Sequence, residues 1–176
     1  GFGEYQMKEA WTWEHQALIR ARAVGGDHRL CHHFERIRRD VLTCPRDPDK
    51  LRVEVLDMRR RMRRDLLKPQ SGVFDIKQDT GGIVDIEFLV QFLVLACSHA
   101  HPNLTRWTDN VRLIQTLITT GAIDEYTAHI LKHAYLIYRA AAHQASLQEK
   151  PARAPEQKFI HLRHRVEKIW NTFLDN

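Results

Sequence analysis

Apolar residues recur at spacings of three and four along most of the chain, and β-branched alternation is nearly absent. The spacing predicts a first helix over residues 4–24, with Trp11, Glu14 and Leu18 at intervals of three, four and seven, stopped by Gly25-Gly26. Asp27 is placed to cap a second helix running to Leu42. The stretch TCPRDPDK breaks the pattern and restarts a helix near Asp49, where Leu51, Val55, Met58, Met62 and Leu66 form one apolar stripe among arginines. LKPQSGV reads as a loop, as does AHPNL further on. Between them FDIKQDTGGIVDIEFLVQ leads from a glycine-broken turn into an apolar helix. A short helix over 109–120 closed by Gly121, a long one capped by Asp124 and reaching about 148, and a last one over 156–174 complete the pattern. KPARAP is a break before the last helix, and only VFDIK resembles a strand, too little for a sheet. The expected architecture is all-α: one helical bundle over 1–176, a four-helix up-and-down core with additional helices at its front.

Composition changes this picture little. The 176 residues are 43% apolar and 28% charged, enough for one domain with a core and too few glycines and prolines for disorder. The net charge of +5 favours acidic or phosphate-bearing partners without specifying nucleic acid. Cys31, Cys44 and Cys97 are odd in number and form no C-x-x-C pair, which suits a reducing cytoplasm and suggests neither disulfides nor zinc. The run IEFLVQFLVLAC is too short to span a bilayer, and no basic-then-apolar signal pattern opens the chain. A start at Gly-Phe-Gly rather than Met suggests a piece of a longer polypeptide.

The residues that could carry chemistry are few. Asp85 and Glu87 lie about 160° apart on a helix and cannot form an acid/base pair on one face. Asp85 falls in the first turn, where the helix dipole stabilises a carboxylate. Glu87 falls within the apolar stripe of Ile83, Ile86, Val90, Leu93 and Val94 and should need a partner, such as Arg112 or another base from a neighbouring helix. A buried ion pair and a functional carboxylate both remain open for it. Gly81 and Gly82 before a helix resemble a phosphate-binding turn, helped by Lys77, yet tight backbone packing explains them as well. Arg20 and Arg22, near Trp11 and Trp13, could clamp phosphates or form a solvated face. RRRMRRD reads as a helix with one core side and a basic outer face, diluted by Glu54, Asp57 and Asp65 and without aromatic stacking platforms. Nucleic acid is therefore not the expected partner. The eleven histidines show no H-E-x-x-H and no metal set, and no Ser-His-Asp or Cys-His arrangement is legible.

Three strings, KEAWTWEHQALIRARAVGGD, FDIKQDTGGIVDIEFLVQFLVL and LTRWTDNVRLI, together resemble the bacterial glutamine synthetase adenylyltransferase/deadenylylase family over nearly the whole chain. WTWEHQALIRAR and RWTDN are closer to its C-terminal, adenylylating half. The resemblance implies a nucleotidyltransferase-associated helical domain, whose catalytic partner carries a Gly-Ser turn and a strand-borne Asp-x-Asp that holds Mg²⁺. Nothing in residues 1–176 matches that signature, so the catalytic domain is expected upstream and the chain alone is expected to hold no cofactor and transfer no AMP. The parent would use ATP and Mg²⁺ to place AMP on a tyrosine of glutamine synthetase under control of PII protein and glutamine. The resemblance makes Arg20, Arg22, Lys77, Gly81 and Gly82 candidates to touch nucleotide, and Asp85, Glu87 and Arg112 interdomain or structural residues. The alternatives are a stand-alone protein-interaction module, the helical domain of the deadenylylating half or of a PII uridylyltransferase, and, more weakly, a basic nucleic-acid-binding bundle.

Overall fold

A computed structural model describes residues 1–175. The chain is all-α: among the described residues there are eight α-helices and one two-stranded ribbon. In order these are α1 (Phe2–Lys8), α2 (Thr12–Arg20), α3 (His28–Leu42), α4 (Pro48–Leu66), β1 (Val73–Asp75), α5 (Ile83–Cys97), a 3₁₀ turn (Pro102–Thr105), α6 (Asn110–Thr119), α7 (Glu125–Leu147), β2 (Arg153–Pro155) and α8 (Glu156–Leu174). Among the described residues no helix is long and apolar enough to cross a membrane.

Most predicted elements are present, with two corrections. The single helix expected over 4–24 is two helices. Trp11 is extended, at φ −80° and ψ 157°, and α2 starts anew behind it. The Glu14 carboxylate accepts the Trp11 N–H at 2.8 Å and the Tyr5 hydroxyl at 2.8 Å, so an acid three residues into the new helix stabilises the break without glycine or proline. Those two donors, the backbone N–H foremost, hold the Glu14 carboxyl below the usual carboxylate range. The second correction is that VFDIK does find a strand partner. Val73–Asp75 pairs antiparallel with Arg153–Pro155, in the register Val73↔Pro155, Phe74↔Ala154 and Asp75↔Arg153. The KPARAP break supplies the partner, and its prolines sit at the ribbon's ends or edge, where no ladder N–H is required.

The chain divides into two compact units. Gly1–Val55 and Val90–Ala122 form the first, and Leu56–Leu89 with the residues from Ile123 onward form the second. The first has a core of Leu18, Ile19, Val41, Leu42, Leu93, Val94, Leu113, Ile114 and Leu117. The second is centred on Phe74, Tyr138 and Phe159, whose ring centroids lie 5.5–6.2 Å apart in tilted and edge-on contacts. Helix caps follow the sequence: Asp27 accepts from Arg29 and Leu30, Asp109 from Arg112, and Asp124 from Thr127.

Candidate functional site

Residues 75–85 form a compact turn in which many polar groups bond one another. Asp75 accepts the Lys77 and Gln78 N–H groups at 3.0 Å each, while its own N–H donates to Asp79 at 2.7 Å. The chain then folds back on itself: Gly82 N–H donates to Asp79 O, Ile83 N–H to Ile76 O and Val84 N–H to Lys77 O. Two glycines are needed because backbone approaches backbone here. A Cβ on Gly82 would lie 2.7 Å from the Ile76 carbonyl oxygen, and one on Gly81 would lie 2.7 Å from that of Arg163. Gly81 also has φ +75°, which side-chain-bearing residues rarely adopt.

Asp85 is the centre of this arrangement. It is 0% exposed and accepts Arg59 Nε at 2.6 Å, Arg63 Nη2 at 3.0 and 3.1 Å, and the Gly81 N–H at 2.7 Å. Arg59, 1% exposed, donates its remaining groups to the Gln78 carbonyl at 2.8 Å and the Gln78 side chain at 3.4 Å. Burial lowers the Arg59 pKa and the neighbouring Asp85 charge opposes that, so the guanidinium stays charged near neutrality. On the other side Arg163 donates to the Thr80 carbonyl at 2.9 Å, pairs with Glu167 and Glu156, and lies over the Phe74 ring. The turn is thus clamped from α4 and from α8.

These contacts reassign several sequence-predicted residues. The buried charge on α5 is Asp85 rather than Glu87. α5 is apolar on almost every face, so its first turn is enclosed; Asp85 stands in that turn, as expected, with the helix dipole and the Gly81 N–H both favouring its carboxylate. Glu87 is only half-buried and accepts the Tyr135 hydroxyl at 3.3 Å. Arg112, suggested as its partner, lies 3.7 Å from Asp109 and over the Trp107 ring, in the first unit. The RRRMRRD segment is not uniformly an outer basic face either, because Arg59 is in the core and Arg63 is three-quarters covered. The Gly81 and Gly82 N–H groups are both taken by acceptors within the chain, as are those of Ile83 and Val84. Lys77 is exposed beside them.

Arg20 and Arg22 are also exposed, but only Arg20 is helical. It ends α2, and Arg22 stands in the non-helical segment behind it. The end of α2 is fixed by a residue that sequence reasoning missed. Arg38 on α3 is 3% exposed and donates to the carbonyls of Leu18 at 2.9 Å, Ile19 at 2.6 Å and Thr105 at 2.6 Å. A cation thus meets the negative end of the α2 dipole and satisfies carbonyls that a helix end leaves open. Burial lowers the pKa of Arg38, and Glu35 at 3.7 Å opposes this.

Both missed arginines left a signal. Leu51, Val55, Arg59 and Arg63 continue one stripe at spacing four, and Arg38, Val41 and Leu42 share a face at three and four. A cation inside an apolar period asks for a buried acceptor. Among the described residues no group of three or more His, Cys, Asp or Glu side chains could hold a metal ion.

Comparison with known families divides the chain in sequence. Residues 1–37 match the family described as Glutamate-ammonia ligase adenylyltransferase. Residues 50–171 match the family described as GlnD PII-uridylyltransferase. The first match contains α1, α2, Arg20 and Arg22; the second contains Arg59, Arg63, the glycine turn and both strands.

Proposed function

The chain belongs to the GlnD PII-uridylyltransferase family, and from that premise we propose that it serves the adenylylating half of a glutamate-ammonia ligase adenylyltransferase as its helical partner. It is a helical domain of the nucleotidyltransferase-associated kind, and the finer assignment rests on the first 37 residues. In this reading a separate catalytic domain holds ATP and Mg²⁺ and transfers AMP to a tyrosine of glutamine synthetase, with PII protein as regulator. Among the described residues the one fully buried carboxylate, Asp85, already faces two guanidinium groups and the Gly81 N–H, so it is engaged within the chain rather than open to a metal ion. What the chain contributes is positioned positive charge at the edge of a neighbour's cleft, where triphosphate charge must be balanced.

The observation carrying this is the end of α2. Arg38 pins the Leu18 and Ile19 carbonyls, so exposed Arg20 and Arg22 project from a fixed point rather than from a loose tail. Lys77, on its self-bonded turn, is a further exposed cation with a rigid base. Reversing both charges, Arg20→Glu with Arg22→Glu, in the full-length protein should weaken ATP binding and AMP transfer by about tenfold or more at a temperature where circular dichroism shows the variant folded. Unaltered kinetics would remove both arginines from the reaction.

A second reading has an observation of its own. The longer match, over 50–171, is to the GlnD PII-uridylyltransferase family, which favours the helical domain of an enzyme that modifies PII. Supplying the full-length protein with ATP and glutamine synthetase, or with UTP and PII, separates the two by which acceptor becomes nucleotidylated.

A further inference from the structure

Around Trp107 the first unit carries a trough of about 380 Å³ that none of the preceding functions uses. One bank is α6. Arg112, Gln115, Thr116 and Thr119 fall at i, i+3, i+4 and i+7 on its outer side, while Asn110, Leu113, Ile114 and Leu117 face the core. The other bank is the 3₁₀ turn with Asn103 and the following Arg106. The guanidinium carbons of Arg106 and Arg112 lie 4.7 and 4.4 Å from the Trp107 ring centroid, so one indole holds both cations in place. Pre-ordering of this kind lowers the entropy lost when such side chains bind.

We propose that this trough is a docking surface for an acidic, extended segment of a partner protein. Arginine and tryptophan together are the residue types that dominate protein interfaces. Arg106 is exposed and has no carboxylate partner among the described residues, and Arg112 has only Asp109, 3.7 Å away and itself half-exposed. Two side-chain carboxylates of an incoming chain match these forks, and the Asn103 and Gln115 carboxamides can donate to and accept from peptide groups between them. Phosphate fits less well. Asp109 already caps the Arg112 N–H at the start of α6, and its carboxylate would oppose a dianion there. The Thr116 and Thr119 hydroxyls likewise donate to helix carbonyls and keep only acceptor capacity. The trough therefore offers charge for carboxylates and carboxamides for a backbone. This inference does not depend on the nucleotide role proposed for Arg20 and Arg22.

The test is fluorescence anisotropy of a labelled peptide of alternating Glu and Gly, titrated with the full-length protein at low salt. Arg106→Ala with Arg112→Ala should weaken binding by about tenfold, and Trp107→Ala should weaken it with both charges retained. Removing equal charge elsewhere, Arg29→Ala with Arg36→Ala, should change it by less than about twofold. Equal losses from the two double variants would overturn the proposal, because the peptide would be responding to net charge alone. So would absence of binding, or displacement of the peptide by inorganic phosphate at equal concentration, which would make the trough a small-anion site. Circular dichroism melts of each variant separate lost binding from lost fold.

Discussion

Two buried arginines in this chain are held in opposite ways. Arg59, in the second unit, faces a buried carboxylate; Arg38, in the first, faces three carbonyl oxygens and only a distant Glu35. The first is a charge pair removed from water, where each partner depends on the other. The second is a cation on the end of a helix, where the acceptors are neutral and need hydrogen bonds in any case. The difference teaches that a buried cation can organise structure by two routes, and that loss of its partner matters far more in the first.

Substitutions at these positions sharpen the contrast. The largest effect is expected for Asp85→Ala, which strands Arg59 and the Gly81 N–H and should reduce unfolding free energy by about 3–5 kcal/mol in denaturant titrations. Adding Arg59→Met to that variant should restore part of the loss, because no uncompensated buried charge then remains at position 59; an additive double variant would break the ion-pair account. Arg38→Met should cost less, about 2–3 kcal/mol, since it leaves neutral carbonyls rather than a buried charge without a partner. A loss as large as that of Asp85→Ala would mean the two clamps do not differ as described.

Gly81→Ala comes next, at about 1–3 kcal/mol from its left-handed backbone and the approach of the Arg163 carbonyl. A neutral result would show that the Asp85-centred turn can yield. The smallest effect concerns protonation. His15, between the Gln6 carbonyl and Arg46, has its pKa lowered, chiefly by burial. The unfolded chain therefore binds the proton more readily, so stability is full above the usual histidine value near 6.5 and declines as pH falls below it. His15→Gln should flatten that slope between pH 7 and 5, whereas Asp85→Ala should leave it in place.

Helix positions were largely legible because caps and apolar period agree, as at Asp27, Asp109 and Asp124, and because the apolar period alone marks Glu156–Leu174, whose N-cap Pro155 gives no side-chain cap. What escaped was polar and non-local. The α1–α2 break rests on Glu14 accepting from Trp11 and Tyr5, with no breaker residue to announce it. The ribbon pairs segments whose individual strand signals are too short to register. The site was legible in part. Close backbone packing was one of two readings open for the glycines, beside a phosphate-binding turn, and pattern alone could not say which carboxylate of Asp85 and Glu87 is enclosed. That depended on α5 being covered from several sides and on Arg59 and Arg63 arriving from α4. Hydrophobic period reports which face is covered, not which distant cation shares it.

The ribbon has a consequence for the order in which the chain assembles. Val73 and Pro155 meet across 82 positions of sequence (155 − 73), and flanking bonds from Ile76 to Ala152 and from Glu156 to Gly72 extend the clasp. Closing so long a loop gives no return until both ends are ordered, while every helix between them can form from near neighbours. The clasp is thus expected to close late in folding. Its backbone amides should exchange with solvent more readily than those of the helices it fastens, so the second unit would release this seam first under partial destabilisation.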